Sequence, residues 1–253
     1  MNINLRYVLG AITTPFHLAT FLGLLIIFQP IQWLCLKIGG YQPHKTSVDI
    51  LNYFVVKSYR IIGANVKFVD TNTSLPKHTP IIFVANHQSI YDVPTLIWYL
   101  RKYHPKFVAK KELGKNVPSV SFNLRHGGAA LIDRKNSEQA LGEIQKLGEK
   151  MFTNNWSSII FPEGTRSRNG KIKTFKSGGI ACLLKACPNA IIVPIAIQNS
   201  WRILRFGKFP LSFGEKLTYT TLPFIIPQEK KIDGIMDEIE NSIKQKITNE
   251  NLF

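Results

Sequence analysis

A chain of 253 residues with 45% apolar content, 16 Phe and 4 Trp is too hydrophobic to be disordered and long enough for one α/β domain with a short appendage. Its formal net charge of +16 calls for an anionic partner: nucleic acid, an anionic membrane surface or a phosphorylated substrate. The basic residues run from Lys37 to Lys246 without interleaved stacking aromatics or a nucleic-acid module, which argues against nucleic acid and leaves membrane and phosphate.

Thirty residues from Tyr7 to Leu36 carry no Asp, Glu, Lys or Arg, between Arg6 and Lys37. As one helix this stretch exceeds the ~20 apolar residues that a bilayer span needs. Pro15 and Pro30 interrupt it, and Phe16–Gln29 between them is short for a span. Residues 1–40 are therefore read as a membrane-associated helical segment, either one span or two short helices dipping into one leaflet. A buried apolar hairpin of a soluble protein is also open. The weak basic start and the lack of a small-x-small cleavage site argue against a removed signal peptide.

Residues 41–253 are read as the catalytic domain. Gly39, Gly40 and Pro43 mark a turn, Val48–Val56 predicts a helix, and Ala64–Val69 predicts a strand before a polar loop from Asp70 to Pro80. The run Pro80–Ala85 (PIIFVA) predicts a strand covered on both faces, as do Phe107–Ala109, Ala129–Ile132, Ser158–Phe161 and Ile191–Ile197. Between them Ala140, Ile144, Leu147 and Met151 recur at helical spacing behind an Asn136-Ser137 cap. Leu211–Tyr219 is a candidate for antiparallel strands, and Ile232, Ile235, Ile239, Ile243 and Ile247 line one face of a final helix. The alternation predicts an α/β fold with a mostly parallel or mixed sheet covered by helices. Cys35, Cys182 and Cys187 lack a CxxC pair and read as buried thiols of a reducing compartment, with no metal site.

Two constellations carry chemistry. Directly after the Pro80–Ala85 strand stands Asn86-His87-Gln88-Ser89-Ile90-Tyr91-Asp92. If His87 lies in the loop and Asp92 opens the next helix, the carboxylate folds back on the imidazole and leaves one ring nitrogen as a general base. The spacing alone also fits a helix-capping Asp beside an incidental His. After the Ser158–Phe161 strand comes Pro162-Glu163-Gly164-Thr165-Arg166-Ser167. There Gly164 permits a tight turn, and Arg166, with Thr165 and Ser167, offers donors suited to phosphate. Glu163 suits a substrate hydroxyl or Arg166; a plain polar turn with a surface ion pair fits equally well. Lys110 and Arg134 close two further strands and can face phosphate or a developing oxyanion. Ser89 or Cys182 as nucleophile lacks the sharp turn or exposure that such chemistry needs, and a metal hydrolase lacks a second His ligand.

These blocks, in this order, resemble the glycerolipid acyltransferase family, in particular the bacterial 1-acyl-sn-glycerol-3-phosphate acyltransferases. The family's His-x4-Asp box looks like Asn86–Asp92 and its second block like Lys110–Arg134. Its Pro-Glu-Gly-Thr-Arg box looks like Phe161–Ser167, its Val-Pro block like Val193-Pro194-Ile195, and its Lys-x-Gly stretch like Lys176–Gly179. The resemblance covers roughly residues 50–225. It implies that His87, oriented by Asp92, deprotonates the sn-2 hydroxyl of lysophosphatidate as it attacks an acyl thioester of coenzyme A or acyl-carrier protein, giving phosphatidate without a cofactor. It implies that Glu163, Gly164 and Arg166, helped by Lys110 and Arg134, hold the glycerol phosphate. The site would lie at an anionic membrane surface on the cytoplasmic side of the inner membrane. The second block departs from the family pattern, with Pro118 followed by Ser119-Val120-Ser121 instead of a nearby Gly, and this leaves chain-length and donor preference open. The same motifs fit another acceptor, such as glycerol 3-phosphate or a different lysolipid, and a non-catalytic basic membrane-binding protein is the rival from another class.

Overall fold

The computed structural model describes residues 1–72, 75, 76, 78–228 and 230–250; part of the expected loop from Asp70 to Pro80 and the last three residues of the expected domain fall outside these. Among the described residues seven strands form one sheet: β1 (Asn65–Asp70), β2 (Ile81–Ala85), β3 (Pro105–Lys110), β4 (Ala130–Ile132), β5 (Ser157–Ile160), β6 (Ile191–Gln198) and β7 (Lys216–Thr221). The order across it is β1-β7-β6-β2-β5-β3-β4. The five strands β6, β2, β5, β3 and β4 are mutually parallel. Strand β7 runs antiparallel to β6 and parallel to β1, so the sheet is mixed.

Helices α1 (Ile3–Leu34), α2 (Tyr41–Ser58) and α3 (Asp92–Tyr99) cover one face, with α4 (Val120–His126) near the β3–β4 edge. Helices α5 (Ser137–Asn154), α6 (Gly178–Ala186) and α7 (Ile232–Glu250) cover the other. Strand β2 shows why the sequence folds this way. Its five residues are all buried, and side chains alternate across the pleat: Ile81, Phe83 and Ala85 join the α1–α3 core, Ile82 and Val84 the α5–α7 core. Helix α5 starts where the sequence signals it, with Asn136 Oδ1 accepting from the Gln139 amide at 3.0 Å.

The apolar N-terminus is a single 32-residue helix; Pro15 and Pro30 lie inside it and do not end it. Tertiary support replaces the lost bonds. Gly10, Thr14, His17, Leu25, Phe28 and Gln32 form a buried stripe at helical spacing, and half of it is polar. Ile12, Phe16, Leu22, Ile26, Ile27 and Trp33 face outward instead. The inner stripe is fastened to the body: Arg6 pairs with buried Glu215 at 3.2 Å, and Thr14 Oγ1 accepts from the Leu211 amide at 2.9 Å. His17 bridges Ser58 O and the Tyr91 hydroxyl at 3.1 and 3.3 Å. At Gly10 a Cβ would collide with Leu211 O, so only glycine allows this approach. Because Leu211–Glu215 serves as this anchor point, the expected antiparallel strand begins later, at Lys216.

A π-helical turn, Cys35–Gly39, folds the chain back into α2. The start of α2 rests on the start of β3 through an aromatic and basic cluster. Tyr41, His104 and Trp156 stack with centroids 5.5 Å apart, and Lys106 Nζ lies 4.5 Å from the Trp156 ring and donates to the Tyr41 hydroxyl. Burial, then the nearby charge of Lys45, outweighs the opposing pull of Asp49 and lowers Lys106 to about 7. Between there and its ordinary value of 10.5 the unfolded chain holds the extra proton, so stability should rise with pH across that window. Lys106→Met is therefore expected to raise the melting temperature most below pH 7, by an amount that shrinks as pH climbs. Melting curves of both proteins at matched pH check this; a gain independent of pH would count against it.

Candidate active site

The C-terminal ends of the five parallel strands share one edge, and each delivers part of the site there. Asn86, which ends the β2 connection, pairs with the backbone of β6 on both sides of its amide: Nδ2 donates to Ile197 O at 2.9 Å and Oδ1 accepts from Ile197 N at 2.7 Å. This pins the loop that follows. Asp92 opens α3 and is fully buried. Its Oδ2 accepts from the amides of Gln88 and Ser89 at 2.7 and 2.8 Å and meets His87 Nδ1 at 2.8 Å.

The other carboxylate oxygen, Oδ1, accepts from Ser200 Oγ at 2.5 Å and the Tyr219 hydroxyl at 3.3 Å. Asp92 thus caps its own loop and holds the imidazole, which joins the two readings that the spacing left open. With Nδ1–H assigned to Asp92, Nε2 carries the lone pair, and among the described residues no hydrogen bond engages it. Phe161 stacks on the His87 ring, centroids 4.1 Å apart, and fixes its plane.

The turn after β5 divides its tasks. Glu163 is buried, and its oxygens are engaged by backbone: Oε1 by the His87 amide at 2.7 Å, Oε2 by the Lys173 amide at 2.9 Å. Burial raises its pKa against these two donors. The carboxylate braces two loops through these bonds, and among the described residues it makes no ion pair with Arg166. Ser167 is a second brace, its amide donating to His87 O at 2.7 Å and its hydroxyl to Lys171 O. Gly164 takes φ +67° and Thr165 is exposed at the tip.

Two cavities adjoin the loop that carries His87: one is lined by His87 itself, the other by its neighbour Gln88. A large one of about 300 Å³ is lined by His87, Lys110, Arg134, Gly164 and Lys176 from the strand ends and loops and by Phe21, Leu25, Val48, Leu51, Val55 and Ile97 from α1, α2 and α3. A second, of about 170 Å³, is lined by Gln88, Arg166, Arg168, Trp201 and Lys208. The first is mostly apolar on its helical side, with a few polar residues such as Gln32 and Asn52; the second carries three cations. Of the residues singled out in the sequence, His87, Lys110, Arg134 and Gly164 share the first cavity and Arg166 lies in the second. Asp92, Glu163 and Ser167 stand behind them.

Ser200, Tyr219, Arg168, Trp201 and Lys208 were not found by sequence reasoning. Ser200 follows the end of β6, so the strand-end rule that picked out Lys110 would have flagged it; Tyr219 has no local signal. Ser89 is no nucleophile here, since it is fully buried and its hydroxyl accepts from the Tyr91 amide at 3.1 Å. Among the described residues no group of three or more His, Cys, Asp or Glu is placed to hold a metal.

A family model described as Acyltransferase matches residues 67–198. Among curated proteins, 1-acyl-sn-glycerol-3-phosphate acyltransferase beta of Homo sapiens is 32% identical over 153 residues, 60% of this chain and 53% of that protein. The 1-acyl-sn-glycerol-3-phosphate acyltransferase of Helicobacter pylori is 38% identical over 127 residues, 47% of this chain and 51% of its own length. The chain spans about half the length of these curated relatives. The crystal structure of the 1-acyl-sn-glycerophosphate acyltransferase from Thermotoga maritima superposes with a TM-score of 0.76 at 19% identity, covering 99% of this chain and 98% of that one, so the two share their fold, N-terminal helix included.

Proposed function

The chain belongs to the acyltransferase family, and from that premise we propose that it moves a fatty acyl group from a thioester donor to the sn-2 hydroxyl of 1-acylglycerol 3-phosphate, giving phosphatidate. One observation carries the reading. An imidazole held by a buried carboxylate lines a largely apolar cavity, while the next residue, Gln88, lines a cationic one. The apolar cavity suits the donor's acyl chain and the cationic cavity suits a phosphate monoester.

In this reading His87 Nε2 takes the proton of the acceptor hydroxyl as its oxygen attacks the thioester carbonyl. The tetrahedral intermediate collapses with loss of the thiolate, and the imidazolium returns the proton to that sulfur. Asp92 steadies the imidazolium. Lys110, in the lining of the same cavity, faces the developing oxyanion, and Arg134 beside it complements phosphate. Arg166, Arg168 and Lys208 hold the acceptor's phosphate, while Gly164 and Thr165 shape the turn between the two substrates. Glu163 and Ser167 act from behind by fixing that turn. The thioester, carried on coenzyme A or acyl-carrier protein, supplies the activation, so no cofactor enters.

We assign residues 1–40 to the membrane and 41–253 to the acyltransferase domain. Helix α1 is long and apolar enough to cross a bilayer, but its inner stripe is docked along the body. Its outward Ile, Leu, Phe and Trp side chains suit burial in one leaflet, with the basic surface drawn to anionic headgroups. The unpaired Cys35, Cys182 and Cys187 agree with a site on the cytoplasmic side of an inner membrane.

The test offers the detergent-solubilised chain an acyl-CoA donor with lysophosphatidate, glycerol 3-phosphate or lysophosphatidylcholine. Lysophosphatidate is expected to be the preferred acceptor. Arg168→Ala and Lys208→Ala should each raise its KM about tenfold while leaving the donor's KM in place. Equal turnover of lysophosphatidylcholine, or a KM for lysophosphatidate indifferent to both substitutions, would remove the phosphate-monoester assignment.

A further inference from the structure

The large cavity is not apolar throughout. Gln32 lines it from α1, fully buried, and among the described residues neither the oxygen nor the nitrogen of its carboxamide has a hydrogen-bond partner. Adjoining it is a small cavity of about 50 Å³ that shares Val48, Ile97, Phe107, Asn123 and Leu124 with the large one. His44 lines this second space; it too is fully buried, and both of its ring nitrogens are without a partner.

His44 stands one helical turn before Val48 on α2, and Gln32 lies on α1 just before the turn that joins the two helices. Among the described residues, Gln32 and His44 are the buried ones on this side of the sheet whose side-chain polar atoms are all left unpartnered, and they line adjoining cavities. Along α1, Gln32 is eleven residues past Phe21, or roughly 16 Å at the rise of an α-helix. Along β3 the lining runs from Lys110 to Phe107, and the small cavity continues it to Lys106 and Pro105.

Buried donors and acceptors are almost always paired, and two residues left wholly unpaired in adjoining cavities point to a ligand that brings its own polar atoms. Burial first, then the charges of His126 and Lys106, lowers His44 to about 4, so its ring is neutral at physiological pH and offers one N–H and one lone pair. Gln32 offers the same combination. A hydroxyl, donor and acceptor on one atom, complements both. A plain methyl terminus would leave the polar atoms of Gln32, and those of His44 beside it, unsatisfied.

We propose that the donor cavity receives an acyl chain bearing an oxygen function at or near its distal end, a terminal hydroxyl above all, and that Gln32, with His44 in the adjoining space, determines this specificity. The inference rests on the reading of the apolar cavity as the donor's acyl site.

The experiment compares palmitoyl-CoA with its terminal-hydroxyl analogue, both with lysophosphatidate, in the wild type, Gln32→Leu and His44→Phe. An ordinary apolar tunnel would discriminate against the hydroxylated donor. Here the wild type is expected to use it at least as well as the plain one in kcat/KM. Each substitution should tilt the ratio of the two donors about tenfold towards the plain chain. Binding of the two donors to catalytically silenced His87→Ala protein, read by calorimetry, should show the same order of preference and does not depend on the acceptor. If neither donor is turned over but the binding preference is present, the proposed reaction fails and the polar terminus stands. A wild type that disfavours the hydroxylated donor in turnover and in binding, with a ratio that neither substitution moves, overturns the inference.

Discussion

Replacing His87 with alanine is expected to lower kcat for acyl transfer by about 10³-fold or more while the protein folds and binds membrane as before. The side chain is 14% exposed, faces the cavity and is held by Asp92 and by stacking on Phe161, so its removal opens space in an existing cavity and leaves the two cores untouched. The loops around it keep their geometry by bonds that do not involve the imidazole. The His87 amide still donates to Glu163 and its carbonyl still accepts from Ser167. Rates measured with lysophosphatidate and acyl-CoA, beside a melting curve and a vesicle-sedimentation assay, check this. Robust turnover by the variant would remove His87 as the base and with it the mechanism given above.

Asp92→Asn is the second large effect expected, a fall in kcat of about 10²–10⁴-fold with only a modest loss of stability. The two oxygens of Asp92 do different things. Oδ2 accepts from two amides and His87, which the carbonyl oxygen of asparagine can still do. Oδ1 faces the hydroxyls of Ser200 and Tyr219, which can turn and accept from an asparagine NH₂. The loop is therefore preserved while the negative charge opposite the imidazolium is lost. Alanine at the same place would strand two buried amides, each costing about 1–3 kcal/mol, so Asp92→Ala should melt well below Asp92→Asn. Comparing the two separates the carboxylate's part in catalysis from its part in holding the loop. An asparagine variant with near-normal turnover would leave Asp92 only the second.

Much of this site was readable in the linear chain because its parts are local. The continuous run from Ile81 to Ala85 gave away a strand buried on both faces, and a loop of seven residues after it contains both members of the His–Asp pair. The same locality exposed the turn at Glu163–Ser167, though not its division of labour. Spacing cannot reveal that Glu163 spends its oxygens on amides of residues 87 and 173. Tyr219, 127 residues from its partner Asp92, was out of reach for the same reason.

The prolines misled in the other direction. Pro15 and Pro30 argue for broken helices when only local bonds are weighed, yet α1 runs through both because its inner stripe is bound to residues 58, 91, 211 and 215. Propensity was overruled by packing. The polar residues His17 and Gln32, which lowered the apparent hydrophobicity of the segment, are the ones that face inward.

That orientation of α1 has a practical outcome for anyone preparing the protein. Phe21, Leu25 and Gln32 are part of the lining of the large cavity, and His17 touches Tyr91 in the loop that carries His87 and Asp92. Trimming the greasy leader, the usual route to a soluble fragment, would here strip away one side of the reaction vessel. A shortened chain should be judged by whether the cavity can still exclude water, and solubility gained that way would come with an open-sided chamber.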